Sequence, residues 1–146
     1  MTTVRQLLRV KGHDVWSIPP DAWVFDALSL MAEKEVGALL VLEGEKLVGI
    51  ISERDYARKV ILLGKSSKST AVREIMTAEV ICVRPEQTIQ ECMALMTESH
   101  VRHLPVLEND RLSGVISIGD VVKAIISEQE FMIEQLERYI VGSGVA

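Results

Sequence analysis

The chain has 146 residues and a formal net charge of −5, and 48% of its residues are hydrophobic although only 4% are aromatic. That length buries one sizeable core, here an aliphatic one, and the apolar content excludes an unfolded chain. The acidic balance and missing aromatic platform speak against nucleic acid or anionic membrane as a partner, and no apolar run approaches the ~18 residues of a membrane span.

Cys82 and Cys92 do not form a C-x-x-C pair, and His13, His100 and His103 share no ligand-like spacing with a cysteine or an acid. No redox pair and no metal site is therefore expected, and both cysteines read as small core fillers. No signal-peptide pattern opens the chain, so a cytoplasmic location is the expectation.

In chain order, Val4–Leu8 predicts a short opening helix, and Asp14–Ile18 a brief strand closed by Pro19-Pro20. Val24, Leu28, Met31 and Ala32 recur at helical spacing, with Asp21 a candidate for the N-cap. Ala38–Leu42 and Leu47–Ile51 then predict a hairpin turning at Gly44. A final helix begins near Ser52. From Val15 to Ile61 the whole pattern is written again 65 residues later without a gap, with Pro20, Met31, Leu39, Val41, Gly49, Ile51, Ser52 and Asp55 among the identities. Val72-Arg73-Glu74-Ile75-Met76 answers the opening helix, Thr88 and Glu91 form a capping-box signature, and Asn109 takes the hairpin turn. The fold class is thus α+β, two β-α-β-β-α units spanning residues 4–64 and 72–127, joined by a linker at 65–71. Residues 128–146 form a helical extension and tail: the apolar spacing runs on from Ile118 to Ile140, until Gly142-Ser143-Gly144, and suggests a surface for a partner subunit or the opposite lobe.

The most repeated words are Gly49-Ile50-Ile51-Ser52-Glu53-Arg54-Asp55 and Gly114-Val115-Ile116-Ser117-Ile118-Gly119-Asp120. Where a strand runs into a helix, Ser at the N-cap and an acid three residues on can satisfy free backbone N–H groups and complement the helix dipole, with no ligand involved. The same geometry can instead offer N–H groups and a hydroxyl to a phosphate and a carboxylate to the two hydroxyls of a ribose, which together mean a nucleotide. Arg54 would add a charge-assisted contact in the first copy. Arg54, Arg58, Lys59, Lys65, Lys68 and Arg73 cluster with Asp55 as their one interspersed acid, which suits an anion or, equally, a solvated basic linker.

These residues carry a resemblance. The doubled G-h-h-S-x-x-D turn, the strand Val101-Arg102-His103-Leu104-Pro105-Val106 and the preamble Val72-Arg73-Glu74-Ile75-Met76-Thr77 resemble a tandem pair of cystathionine-β-synthase (CBS) domains, a Bateman module. Ser52 through Val60, followed by Gly64-Lys65-Ser66-Ser67-Lys68, is similar to stand-alone CBS pairs of bacteria and plant organelles.

The resemblance implies two units packed about a pseudo-two-fold axis, with clefts for an adenine nucleotide: AMP, ATP or NAD(H), with S-adenosylmethionine less favoured. It implies that Asp55 and Asp120 hold ribose and that Ser52 and Ser117 lie near ribose or phosphate. Adenine would sit among Trp16, Ala38 and Leu39 in one copy and Ile81, Arg102, His103, Leu104 and Pro105 in the other. Trp16 fills its cleft or stacks on the base, and filling is the reading preferred. Leu40 stands where the second copy has Pro105, and the two sites should differ in shape. Nothing resembles a nucleophile with a base, so no enzyme activity is expected. The expectation is a regulatory homodimer that senses a nucleotide and modulates an unidentified partner; the alternative is a ligand-free interaction or scaffold module.

Overall fold

The computed structural model describes residues 1–142. Its elements are α1 (Val4–Lys11), β1 (Ser17–Ile18), α2 (Val24–Lys34), β2 (Ala38–Glu43), β3 (Lys46–Ser52), α3 (Glu53–Tyr56), α4 (Val72–Ile75), α5 (Ile89–Ser99), β4 (His103–Glu108), β5 (Arg111–Ser117) and α6 (Ile118–Gly142). A π-helical segment, Ala57–Ile61, continues α3. Of the residues expected to end the last helix, Ser143 and Gly144 lie outside the described residues.

Contacts divide the chain into two compact units: Asp14–Cys82, and Met1–His13 together with the chain from Val83 onward. The units are offset from the sequence repeats by one preamble. Helix α1 packs in the unit built from the second repeat, and α4 in the unit built from the first. The hydrogen bonds explain the exchange. Val4 and Arg5 donate their N–H groups to the Gln87 and Pro85 carbonyls at 2.8 and 2.9 Å, while Val72 and Arg73 donate to Ala22 and Pro20 at the same distances. These donors open helices and have no intrahelical acceptor, so each preamble starts where a loop ahead of α5 or α2 offers carbonyls.

The first-repeat unit holds a sheet in the order β1-β2-β3, with β1 parallel and β3 antiparallel to β2. Val24, Ala27 and Met31 of α2 are buried with Leu39, Val41, Ile51, Val60 and Ile75. Helix α2 has no side-chain cap at Trp23. Its first N–H groups instead reach the Thr70 and Ser67 carbonyls, both at 2.9 Å, so the linker does the capping rather than Asp21. In the other unit the capping box is present as expected, with Thr88 and Glu91 each accepting from the other's backbone N–H. Both hairpins turn at the expected residues. Gly44 alone is at positive φ in the first, the pattern of a II′ turn, whereas Asn109 and Asp110 are both positive in the second, the pattern of I′.

One strand of the second repeat is nearly lost, and a single residue explains it. In the first-repeat unit Leu40 donates its N–H to the Trp16 carbonyl at 3.1 Å and holds β1 to β2. Pro105 occupies the equivalent position and has no N–H. What remains is an isolated parallel bridge between Val83 and Val106.

The glycines that open the repeated turn serve close packing. A Cβ on Gly49 would lie 2.6 Å from Met76 Sδ and 3.0 Å from the Thr77 carbonyl oxygen, and one on Gly114 would lie 2.9 Å from Leu8 Cδ2. In each unit the glycine lets a preamble lie directly on the strand that leads into the turn. Cys92 is fully buried, as a core filler should be, and burial pushes its thiol up to about 11, helped by Glu91. Cys82 is only partly buried and is not a core residue.

Candidate functional site

Each G-h-h-S-x-x-D turn places its serine as the last strand residue and its aspartate at the third helical position. In the first-repeat unit Asp55 Oδ2 accepts hydrogen bonds from the Ser52 N–H and hydroxyl, both at 3.0 Å, and the Asp55 N–H returns one to Ser52 Oγ at 3.2 Å. The second turn repeats this: the Ser117 N–H donates to Asp120 Oδ2 at 2.8 Å and the Asp120 N–H to Ser117 Oγ at 3.2 Å. The first helical N–H is engaged as well, from Glu53 to the Gly37 carbonyl at 3.1 Å and from Ile118 to that of Arg102 at 2.8 Å. The capping reading of the motif is therefore realised in both copies, and two of the N–H groups that a phosphate would seek already have partners.

The carboxylates do more than cap. Lys59 Nζ lies 3.3 Å from Asp55 Oδ1 and donates to the Ile75 carbonyl at 2.9 Å. Lys11 Nζ lies 2.5 Å from Asp120 Oδ2 and donates to the Val115 carbonyl. Each turn thus presents an acceptor carboxylate beside a donor ammonium, and each lysine ties the turn to a preamble. The lysine comes from the final helix in one unit and from the preamble itself in the other. Burial alone would raise the Asp120 carboxyl, but the hydrogen bonds from Lys11 and Ser117 outweigh it and hold the group below its usual range.

The remaining predicted residues take distinct positions. Ala38 pairs with Ser52, and His103 with Ser117, so both flank a turn serine across a hairpin. Burial, followed by the charge of Lys11, lowers the His103 pKa. Leu39 and Leu104 are at most 1% exposed, so their side chains belong to the core. Pro105 is also buried, whereas Arg54 and Arg102 are exposed. Trp16 is 38% exposed and its ring carries Lys34 Nζ 4.4 Å from the centroid. Ile81 falls within the Asp14–Cys82 unit, two residues before Val83 begins the other. Lys11 was not a candidate on sequence, and Lys59 figured only as one member of the basic cluster. Lys59 carried a signal, four residues beyond Asp55 on a helix, but nothing local links Lys11 to a residue in the other repeat.

The profile of the CBS domain matches twice, over residues 4–61 and 72–127. The chain belongs to the CBS domain family. It is 42% identical over 151 aligned residues to the CBS domain-containing protein CBSX3, mitochondrial, of Arabidopsis thaliana, covering 97% of this chain and 73% of that one. Among solved structures, a putative signal-transduction protein with CBS domains from Burkholderia ambifaria is 53% identical, with a TM-score of 0.85 over 88% of this chain and 96% of that one. A CBS domain pair in complex with 5′-methylthioadenosine and S-adenosyl-L-methionine shares the fold, with a TM-score of 0.76 at 20% identity, over 88% of this chain and 98% of the other. Both repeated turns lie inside the matched segments. Among the described residues, no helix is long and apolar enough to cross a membrane.

Proposed function

We propose that this CBS pair is a regulatory sensor that binds an adenosine-containing ligand at its Ser-x-x-Asp turns and changes the surface it offers to a partner. The observation that carries this reading is the doubled juxtaposition of a carboxylate and an ammonium at a strand-to-helix turn, Asp55 with Lys59 and Asp120 with Lys11. A carboxylate accepts from ribose hydroxyls and an ammonium donates to a phosphate or carboxylate, so one turn can meet both ends of a nucleotide. The adenosyl compounds held by the related CBS pair belong to the same chemical class. AMP, ATP and NAD(H) are the ligands favoured, in a homodimer that performs no catalysis. A ligand shifts the protein only through unequal affinity for two of its states. We place the protein in the cytoplasm, although the Arabidopsis relative is mitochondrial by name.

The competing reading is a ligand-free interaction module, and the completed capping boxes favour it: Ser52, Asp55, Ser117 and Asp120 already have structural work. A thermal-shift panel with AMP, ATP, NAD, NADH and S-adenosylmethionine separates the two. A ligand at a hundred times its dissociation constant adds about 2.7 kcal/mol, which raises the melting point by several degrees in a chain of this size. Unchanged melting across the panel leaves the interaction module.

A further inference from the structure

Lys11 is the last residue of α1, and its ammonium already holds the carboxylate that a ribose at the second turn would need. Nζ donates to the Val115 carbonyl and lies 2.5 Å from Asp120 Oδ2, the oxygen that also accepts the Ser117 N–H. Two residues on, His13 Nδ1 lies 2.8 Å from the Ser113 carbonyl oxygen. The carboxyl end of α1 is thus fastened to β5 on both sides of Gly114, at the point where the chain leaves this unit for Asp14–Cys82. Eight residues are too few for a helix to persist alone in water, so α1 depends on such fastenings. The other turn is wired differently. Asp55 and Lys59 lie four residues apart on one helical stretch, so parting them separates no two elements.

We propose that Lys11 is a built-in competitor of the ligand: a ribose that takes the Asp120 carboxylate parts Lys11 from it and loosens the carboxyl end of α1. A carboxylate that grips both hydroxyls of a ribose uses both of its oxygens. At Asp120 one oxygen is shared between the cap and Lys11. The cap is a backbone contact within one tight turn, whereas Lys11 is an exposed, flexible side chain from another helix, so Lys11 is the partner that gives way. The inference rests on the reading that Asp120 holds ribose. It gives that reading an output, carried by the second turn alone.

The test is amide hydrogen exchange on the full chain, with and without saturating AMP, ATP or NAD, after calorimetry has established which of the three binds. The reporter is the Gly12 N–H, which closes α1 on the Leu8 carbonyl at 2.7 Å. Nucleotide should speed its exchange about tenfold or more, while the Val4 and Arg5 amides, bonded to Gln87 and Pro85 at the other end of α1, hold their protection. In Lys11→Met the Gly12 amide should exchange fast without nucleotide, and nucleotide should add nothing further. The wild-type comparison needs no variant, so a Lys11→Met chain that failed to fold would not spoil it. A nucleotide that binds but leaves Gly12 exchange unchanged or slower overturns the proposal and spares the sensor reading. So does binding that persists unchanged in Asp120→Ala, because the ligand then sits elsewhere. If none of the three nucleotides binds, the proposal and that reading fall together.

Discussion

Lys11 and Asp120 stand 109 positions apart in the sequence, yet their side chains meet at 2.5 Å. The contact exists because α1 packs in the unit built from the second repeat. It joins the preamble, the end of β5 and the capping turn of α6 at one carboxylate.

Replacing Lys11 by Met should let the Asp120 pKa rise toward its ordinary value, which a carbon-detected NMR titration would follow. The pair is about a quarter to a third exposed, with side-chain exposures of 30% and 26%, so the stability lost should be modest, roughly 0.5–1 kcal/mol. An unmoved Asp120 titration would show that Lys11 does not reach the carboxylate in solution.

Asp120→Ala should remove both roles of the residue. Loss of the cap should lower stability by about 1 kcal/mol in urea unfolding. If the turn holds ribose, nucleotide affinity should also fall about tenfold or more, measured by calorimetry. A stability loss with unchanged affinity would leave capping as the whole role of the motif.

The two turn glycines should respond unequally to a methyl group. Gly49→Ala meets the Thr77 backbone oxygen as well as Met76, and should cost about 1–3 kcal/mol. Gly114→Ala meets the end of the Leu8 side chain, which can turn aside, and should cost less. Paired urea denaturation curves give the order directly.

The lowered His103 pKa fixes the sign of one pH effect. The unfolded chain takes up this proton at higher pH than the folded one, so stability should fall as pH drops from about 7 through the unfolded value near 6.5. The loss stops growing once pH is below the folded value. The depressed Asp120 carboxyl adds a second decline at lower pH, as it becomes protonated. His103→Gln should flatten the first slope and leave the second, in melting curves recorded from pH 8 to 3.

Thiol labelling should separate the cysteines. Cys92 is buried, with its thiol pushed up to about 11, and should react only on unfolding. Cys82 is partly exposed and should react first in the native protein.

What was legible in the sequence depended on how far each signal had to reach. The hairpins, the positive φ at Gly44 and Asn109 and the box between Thr88 and Glu91 are contacts among near neighbours, and their residue types announce them. The Ser-x-x-Asp turns were equally plain, although local sequence left capping and ligand binding open together. Trp23 carries no capping side chain, so the role of the Ser67 and Thr70 carbonyls could not be read from residue types. Leu40 against Pro105 was visible as a difference, but its effect on the first strand runs through the Trp16 carbonyl, a backbone partner that residue types do not announce. The preamble exchange was hidden for a deeper reason: Val4-Arg5 and Val72-Arg73 are so alike that pattern alone fits either preamble to either unit.

That exchange also bears on the order in which the protein can be completed during synthesis. Residues 14–82 form one uninterrupted unit, so every piece of it has been synthesised before any of the chain from Val83 onward. The other unit needs its first helix and its last, and α1 must wait until β5 and the start of α6 emerge. Closing a loop of that length costs entropy that no local contact returns beforehand. The amino-terminal helix should therefore be the last early-made segment to find its place, with Val4, Leu7 and Leu8 exposed in the meantime.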